Sequence, residues 1–182
     1  MRHIGIDVGV TGAIGAVDEK NGAFIGLHDL PLIEVGVWKF VDGPTLMSLL
    51  RDLKGDDNAR CYMEYAGGMG GPTFGKTAIA SVNRMAGSIF ATVMLAGLPI
   101  ELISPPKWKL AFGLTKKAGE KTDMKAKALA LARMKFPAAA DTLTRAKDHN
   151  RGETLLLAEY GRMRWLNSSA HLDLRPGAPN PF

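Results

Sequence analysis

In the stretch Ile4-Gly5-Ile6-Asp7-Val8-Gly9-Val10-Thr11-Gly12-Ala13, every residue from 4 to 9 is apolar or glycine except Asp7. An unpaired carboxylate in such a run is costly to bury, so it needs a partner. A metal ion supplies one; the amides of the turn at Gly9 to Gly12 are the plainer alternative. The glycines flank a tight turn into a second apolar run, Ala13 to Val17, and Asn21-Gly22 is a hairpin signal leading to a third strand near Ala23 to Asp29. Three sequential strands with short turns predict an antiparallel meander. Glu64 repeats the Asp7 puzzle: it is the one charge in Cys61 to Ala66, near the end of the next strand expected in the sheet core. In the sheet this order predicts, the two strands are neighbours and their carboxylates can converge.

Pro44 suits the first turn of a helix through Lys54. Residues 67–76 are glycine-rich, Thr77 to Gly97 reads as a long apolar helix, and Pro99 to Ile103 as a strand. Ser104-Pro105 opens a short helix, Thr122 is expected to cap another that ends before Pro137, and residues 138–146 read as a loop. Residues 30–42 fit neither period. A meander followed by strand-helix-strand units predicts an α/β fold: a mixed five-stranded sheet flanked by helices on both faces, its later strands joined by right-handed parallel crossovers. The expected organisation is one domain over residues 1–166 and an extended or disordered tail over 167–182, which carries three prolines.

The last helix, expected from Asp148 to Trp165, brings a third acidic group. His149 and Glu153 are four apart and Asn150 and Glu153 three apart, so each pair shares a helix face. Asp148 reaches that face only from the start of the helix. Read singly, Asp148 is an N-cap and Glu153 an exposed helical acid. Together with Asp7 and Glu64 they make an all-oxygen set suited to Mg2+, with Mn2+ as a substitute. Two such ions about 4 Å apart can activate water and stabilise the leaving oxygen of a phosphodiester. In that scheme Asp7 and an acid of the last helix hold one ion, Asp7 and Glu64 the other, and His149 positions the water.

The 182 residues carry a net charge of +5, with 46% hydrophobic and 23% charged residues, which excludes a disordered chain and suits a single core. The single cysteine, Cys61, allows no internal disulfide, no cleavable signal is read at the N-terminus, and the apolar stretch Ser88 to Ile103 is broken by Gly97 and Pro99, so a cytoplasmic protein with no membrane span is expected. Between Pro105 and Arg151 twelve Lys or Arg stand against four acids. Such a stripe suits a polyanion, or else a solvated helix face. Lys76, Lys107, Lys109, Lys116, Lys117 and Lys121 are the candidate phosphate contacts. Trp108 and Phe74 can stack on bases, with packing the default reading.

Gly70-Gly71-Pro72-Thr73-Phe74-Gly75-Lys76-Thr77 matches the spacing of a phosphate-binding loop and lies between a strand and a helix, which makes an NTPase the main rival. Against it, extra glycines separate the strand from the motif, no later strand ends in an acid fit for magnesium, and Asp7 and the closing acids go unused. Two-domain sugar kinases and actin-like ATPases share the first Asp-Gly strand but need a second domain, for which this chain has no room.

The four segments also carry a resemblance. Residues 4–13 resemble the first-strand signature of RuvC-like Holliday-junction resolvases, in the ribonuclease-H-like superfamily. Met63-Glu64 resembles their second acidic position. Ser104-Pro105-Pro106-Lys107-Trp108-Lys109 looks like the strand-end segment of phage and organellar members, and Lys147-Asp148-His149 with Arg151, Glu153 and Leu155 to Ala158 looks like their closing motif. The resemblance spans residues 3–161, with the motifs in order. It implies a ribonuclease-H-like fold, a homodimer, divalent metal and paired nicking of four-way DNA junctions, in a bacterial or phage-infected cell. The bacterial ending carries two aspartates three residues apart; here those positions read Asn150 and Glu153, so the fourth ligand is assigned to Asp148 ahead of His149. An RNase-H-like nuclease acting on RNA fits the same residues.

Overall fold

The computed structural model describes residues 1–65, 75–116 and 122–172. Five strands, β1 (Arg2–Ile6), β2 (Ala13–Asp18), β3 (Phe24–Asp29), β6 (Ala59–Glu64) and β7 (Ile100–Ile103), form one mixed sheet in the order β3-β2-β1-β6-β7. The meander is antiparallel, and β1–β6 and β6–β7 are parallel. Strand alternation sorts side chains by face. Ile4, Ile6, Cys61 and Met63 enter one core with Leu46 and Leu50 of α1 (Gly43–Lys54) and Met85, Ile89 and Val93 of α2 (Lys76–Leu95). Tyr62 enters the other, with Trp108 of α3 (Pro105–Ala111), Leu129 of α4 (Met124–Lys135) and Leu155 to Ala158 of α5 (His149–Leu172). The sheet is therefore covered on both faces, as the alternation of strands and helices in the sequence predicts.

The ambiguous segment is a separate hairpin, β4 (Leu32–Val35) and β5 (Trp38–Val41), turning at Gly36 with φ +60°. Asp42 caps α1, accepting from the Thr45 amide at 3.2 Å and its hydroxyl at 2.6 Å. Three expectations need correction. Asp123, not Thr122, caps α4, accepting from the amides of Lys125 and Ala126. The loop 138–146 begins as a 3-10 turn, Pro137–Thr142. And α5 runs past Trp165 to Leu172, because no proline interrupts it before Pro176.

His3 is fully buried, its Nδ1 3.0 Å from the Tyr62 hydroxyl and its ring stacked on Tyr62 at 5.7 Å. Burial lowers its pKa from 6.5 to about 4. The unfolded chain takes up this proton near pH 6.5 and the folded chain only near 4, so the stability present above pH 6.5 is lost as pH falls through 4. A shift of this size is worth about 3 kcal/mol. Urea unfolding at steps between pH 7 and 4 should show that loss, and His3→Phe should flatten it; an unchanged slope in the variant would assign the acid sensitivity to another group.

Candidate active site

The period of two that sends Ile4 and Ile6 towards α1 and α2 turns Gly5 and Asp7 towards α5. On β6 it sends Cys61 and Met63 one way and Tyr62 and Glu64 the other. Ile6 pairs with Met63 in parallel register, so Asp7 and Glu64 leave adjacent strands at the same edge. Gly5 lets α5 lie directly on β1: a Cβ there would stand 2.2 Å from the Thr154 carbonyl oxygen and 2.8 Å from the Ala158 nitrogen. That contact carries Glu153, next to Thr154, to the same edge. The Asn150 side-chain amide fixes the helix start by donating to the Thr11 carbonyl at 2.8 Å and its hydroxyl at 2.7 Å. Arg151 adds a two-pronged ion pair to Asp29, 2.7 Å on each arm.

Burial and neighbouring charge act together on these carboxyls. Burial raises the Asp7 carboxyl well above the usual carboxylate range, and the negative charges of Glu64 and Glu153 raise it further. Burial also raises Glu64, with Glu153 adding to it; Lys109 and a hydrogen bond from Trp108 work the other way. The Trp108 indole N–H donates to Glu64 Oε2 at 2.7 Å, and Lys109 Nζ stands 3.1 Å from Glu153 Oε2. Trp108 thus packs, as its default reading has it, and also holds a candidate catalytic carboxylate. Lys109, expected on the DNA backbone, is turned into the acidic group as its internal counter-charge.

The other closing residues point elsewhere. Asp148, expected as the fourth ligand, is 3% exposed and committed to Arg145, whose amide and guanidinium both approach it at 2.7 Å. That guanidinium holds its carboxyl below the usual range. A residue at the entrance to a helix whose neighbour three back is an arginine finds a partner locally before it finds a distant metal. Asn150 is committed to Thr11. His149 donates from Nδ1 to the Ala146 carbonyl at 3.1 Å and lines an open pocket beside α4. Lys107 and Lys116 are exposed. Lys117, Lys121, the Lys76 side chain and residues 66–74 of the glycine-rich loop, with Phe74, lie outside the described residues.

The donor set of Asp7, Glu64 and Glu153 is all oxygen and mutually repelling, which fits a hard divalent cation. As oriented, no three His, Cys, Asp or Glu side chains among the described residues stand close enough to ligate one ion. Glu64 Oε2 accepts from Trp108, and Glu153 is paired with Lys109.

No family model and no curated sequence matches the chain. Solved structures do. Thermus thermophilus RuvC in complex with a Holliday junction substrate superposes with a TM-score of 0.61 at 13% identity, covering 92% of this chain and 97% of that one. A second Thermus thermophilus RuvC structure gives 0.51 at 14% identity over the same shares. Nearly the whole of both chains is matched, with the sheet order and flanking helices described above, so this chain has the ribonuclease-H-like fold of RuvC.

Proposed function

We propose that the chain is a divalent-metal-dependent endonuclease that cuts four-way DNA junctions by paired nicks, acting as a homodimer. The observation that carries this reading is the gathering of Asp7, Glu64 and Glu153 at one sheet edge, where Glu64 and Glu153 raise Asp7 and Glu153 raises Glu64, in a fold shared with a RuvC solved on a Holliday junction substrate. Structural proteins have little use for three carboxylates driven together in this way; a site that receives a cation does.

Asp7, Glu64 and Glu153 would hold magnesium, with manganese as a substitute; Asp148 would have to release Arg145 to join them. A divalent ion bound there lowers the pKa of water and stabilises charge on the leaving oxygen. The protein's own contribution is positional. Backbone pairing of β1 fixes Asp7, Trp108 orients Glu64, and Asn150 with Arg151 holds the start of α5 so that Glu153 meets them. Lys109 neutralises Glu153, and its ammonium would be free to meet a phosphate oxygen if a cation took over that carboxylate. Lys107 and Lys116, both exposed, would contact the DNA backbone without reading sequence.

The decisive experiment incubates the protein with a synthetic four-way junction, a linear duplex of the same sequence and an RNA–DNA hybrid, with magnesium. Symmetric nicks in the junction and little cutting of the duplex are expected. Preferred cutting of the hybrid would turn the reading to a ribonuclease, and no cutting of any substrate with either metal would end it.

A further inference from the structure

An open pocket of about 570 Å3 lies between α4 and the start of α5. This volume is within the roughly 300–1,000 Å3 range of ligand clefts. Its lining includes Lys125, Arg133, Lys147 and His149, with Asp123 as the one acid. We infer that this pocket seats a phosphate of the DNA backbone next to the one being cut, which extends the nucleic-acid path from the acidic edge along the first turn of α5.

Three observations carry the inference. First, the pocket's charge is unspent. Asp123 lines the pocket but is engaged as a cap: Oδ1 accepts from the α4 amides of Lys125 and Ala126 at 3.0 and 3.3 Å. It therefore caps the helix itself and leaves the anion to the side chains. Arg133 bonds the Leu143 carbonyl through Nε at 2.6 Å, which fixes its guanidinium while its other nitrogens remain available. Lys125 and Lys147 are exposed and make no ion pair among the described residues. Second, His149 is already oriented: a carbonyl only accepts, so Nδ1 carries the proton, Nε2 of the neutral ring is an acceptor, and the imidazole walls the pocket while Lys125, Arg133 and Lys147 supply the donors an anion needs. Third, residues that line the pocket lie close to the acidic edge. His149 shares a helix face with Glu153, one turn away, and Lys125 is near enough to Asp7 to lower its carboxyl against burial. A strand whose reacting phosphate lies at Asp7 passes Lys125 and reaches Lys147 and Arg133 next. Lone lysines on a helix are ordinarily a solvated face; a fixed guanidinium and two lysines with no ion pair among the described residues, set around one concavity, make an anion site. The sequence stripe hid this because residues from 125 to 147 meet only when the 3-10 turn folds the chain back on α4.

The inference rests on the nuclease reading, yet its test separates the two. Junction binding is measured by fluorescence anisotropy over a salt series, with magnesium replaced by chelator so that no strand is cut. Lys147→Ala should lower the steepness of log affinity against log salt by about 1. Lys147→Glu should weaken binding about tenfold, the size of one lost charged hydrogen bond. Lys125→Ala should act like Lys147→Ala, whereas Lys54→Ala, on α1 across the sheet, should leave the slope unchanged. Phosphate contact is blind to sequence, so junctions of different sequence should lose equally. Unchanged affinity and slope in both pocket variants, or an equal loss in Lys54→Ala, would overturn the pocket even if the wild-type protein cuts junctions. Pocket-dependent binding by a protein that never cuts would leave the pocket standing and end the nuclease reading.

Discussion

Asp7→Asn is expected to lower junction cleavage by more than about 10²-fold, since even a lost partner of a metal ligand commonly costs 10–100-fold. DNA binding should be kept or strengthened, because one negative charge facing phosphate is gone. The same substitution has a second, opposite effect that needs no substrate. Asp7 is raised well above the usual carboxylate range, chiefly by burial and then by Glu64 and Glu153. The unfolded chain ionises it near its ordinary value, the folded chain only at higher pH. In chelator the stability it lends is therefore full at low pH and lost as pH climbs from the ordinary carboxylate value through the raised one. The metal-free wild type takes on that penalty as the pH rises, and Asp7→Asn removes it. Melting in chelator at pH 8 should rank the variant above wild type, each 1 kcal/mol of relief being worth roughly 2–4 °C in a chain of this size. Magnesium should then raise the wild-type Tm by mass action and leave the variant's unmoved. Glu64→Gln, whose side-chain carbonyl still accepts from Trp108, should show the same pair of effects in weaker form. Full-rate cutting by Asp7→Asn, or a wild-type Tm indifferent to magnesium, would sink the metal reading.

The strands that carry Asp7 and Glu64 are legible in the sequence because alternation and burial leave one physical solution for each. A carboxylate in an apolar run that alternates with Ile4 and Ile6 must lie on the face opposite them, and parallel pairing of neighbouring strands does the rest. Glu153 is legible from helical spacing for the same reason. Asp148 is not, because the capping geometry that attaches it to Arg145 depends on a short 3-10 turn at Ala146–Asp148 that has no periodic signal. Lys109 and Trp108 are also hidden. On sequence alone they belong to a short basic helix, and only the approach of α3 to α5 turns one onto Glu153 and the other onto Glu64. The hairpin at 32–41 escapes for a different reason. It adds no strand to the main sheet, so its residues lack the buried face that would print a period of two; Ile33, Val35, Val37 and Trp38 are all exposed, Val37 at 91%.

Disrupting the outer face of α2 is expected to split the protein into 19.5 kDa chains and to abolish paired nicking while single nicks continue. The 20-residue helix contains no charged residue but Lys76 and Arg84, and it is long and apolar enough, by length and composition, to cross a membrane. Met85, Ala86, Ile89 and Val93 pack it on the sheet. The final helix cannot cover the remainder, since α5 lies across the sheet in the other core. What stays exposed is a stripe of Asn83, Gly87, Phe90 and Met94, with Ala80 and Ala91 beside it, at the i, i+4, i+7, i+11 spacing of one helix seam against another. Gly87 is the sharpest sign. A glycine inside a helix costs about 1 kcal/mol relative to alanine, and a Cβ here would meet nothing within 4 Å. Nothing among the described residues requires glycine there; close approach of a second α2 about a twofold axis would, and the proposed paired nicks need two active sites so related. Light scattering should give twice the chain mass for wild type and the single chain mass for Gly87→Arg. Gly87→Ala separates the alternatives further: on a free surface it should raise stability by about 0.5–1 kcal/mol with no change in mass, and at a tight helix crossing it should weaken the dimer. A wild-type monomer with and without junction DNA would end the paired-nick mechanism, and a dimer indifferent to Gly87→Arg would remove α2 as its interface.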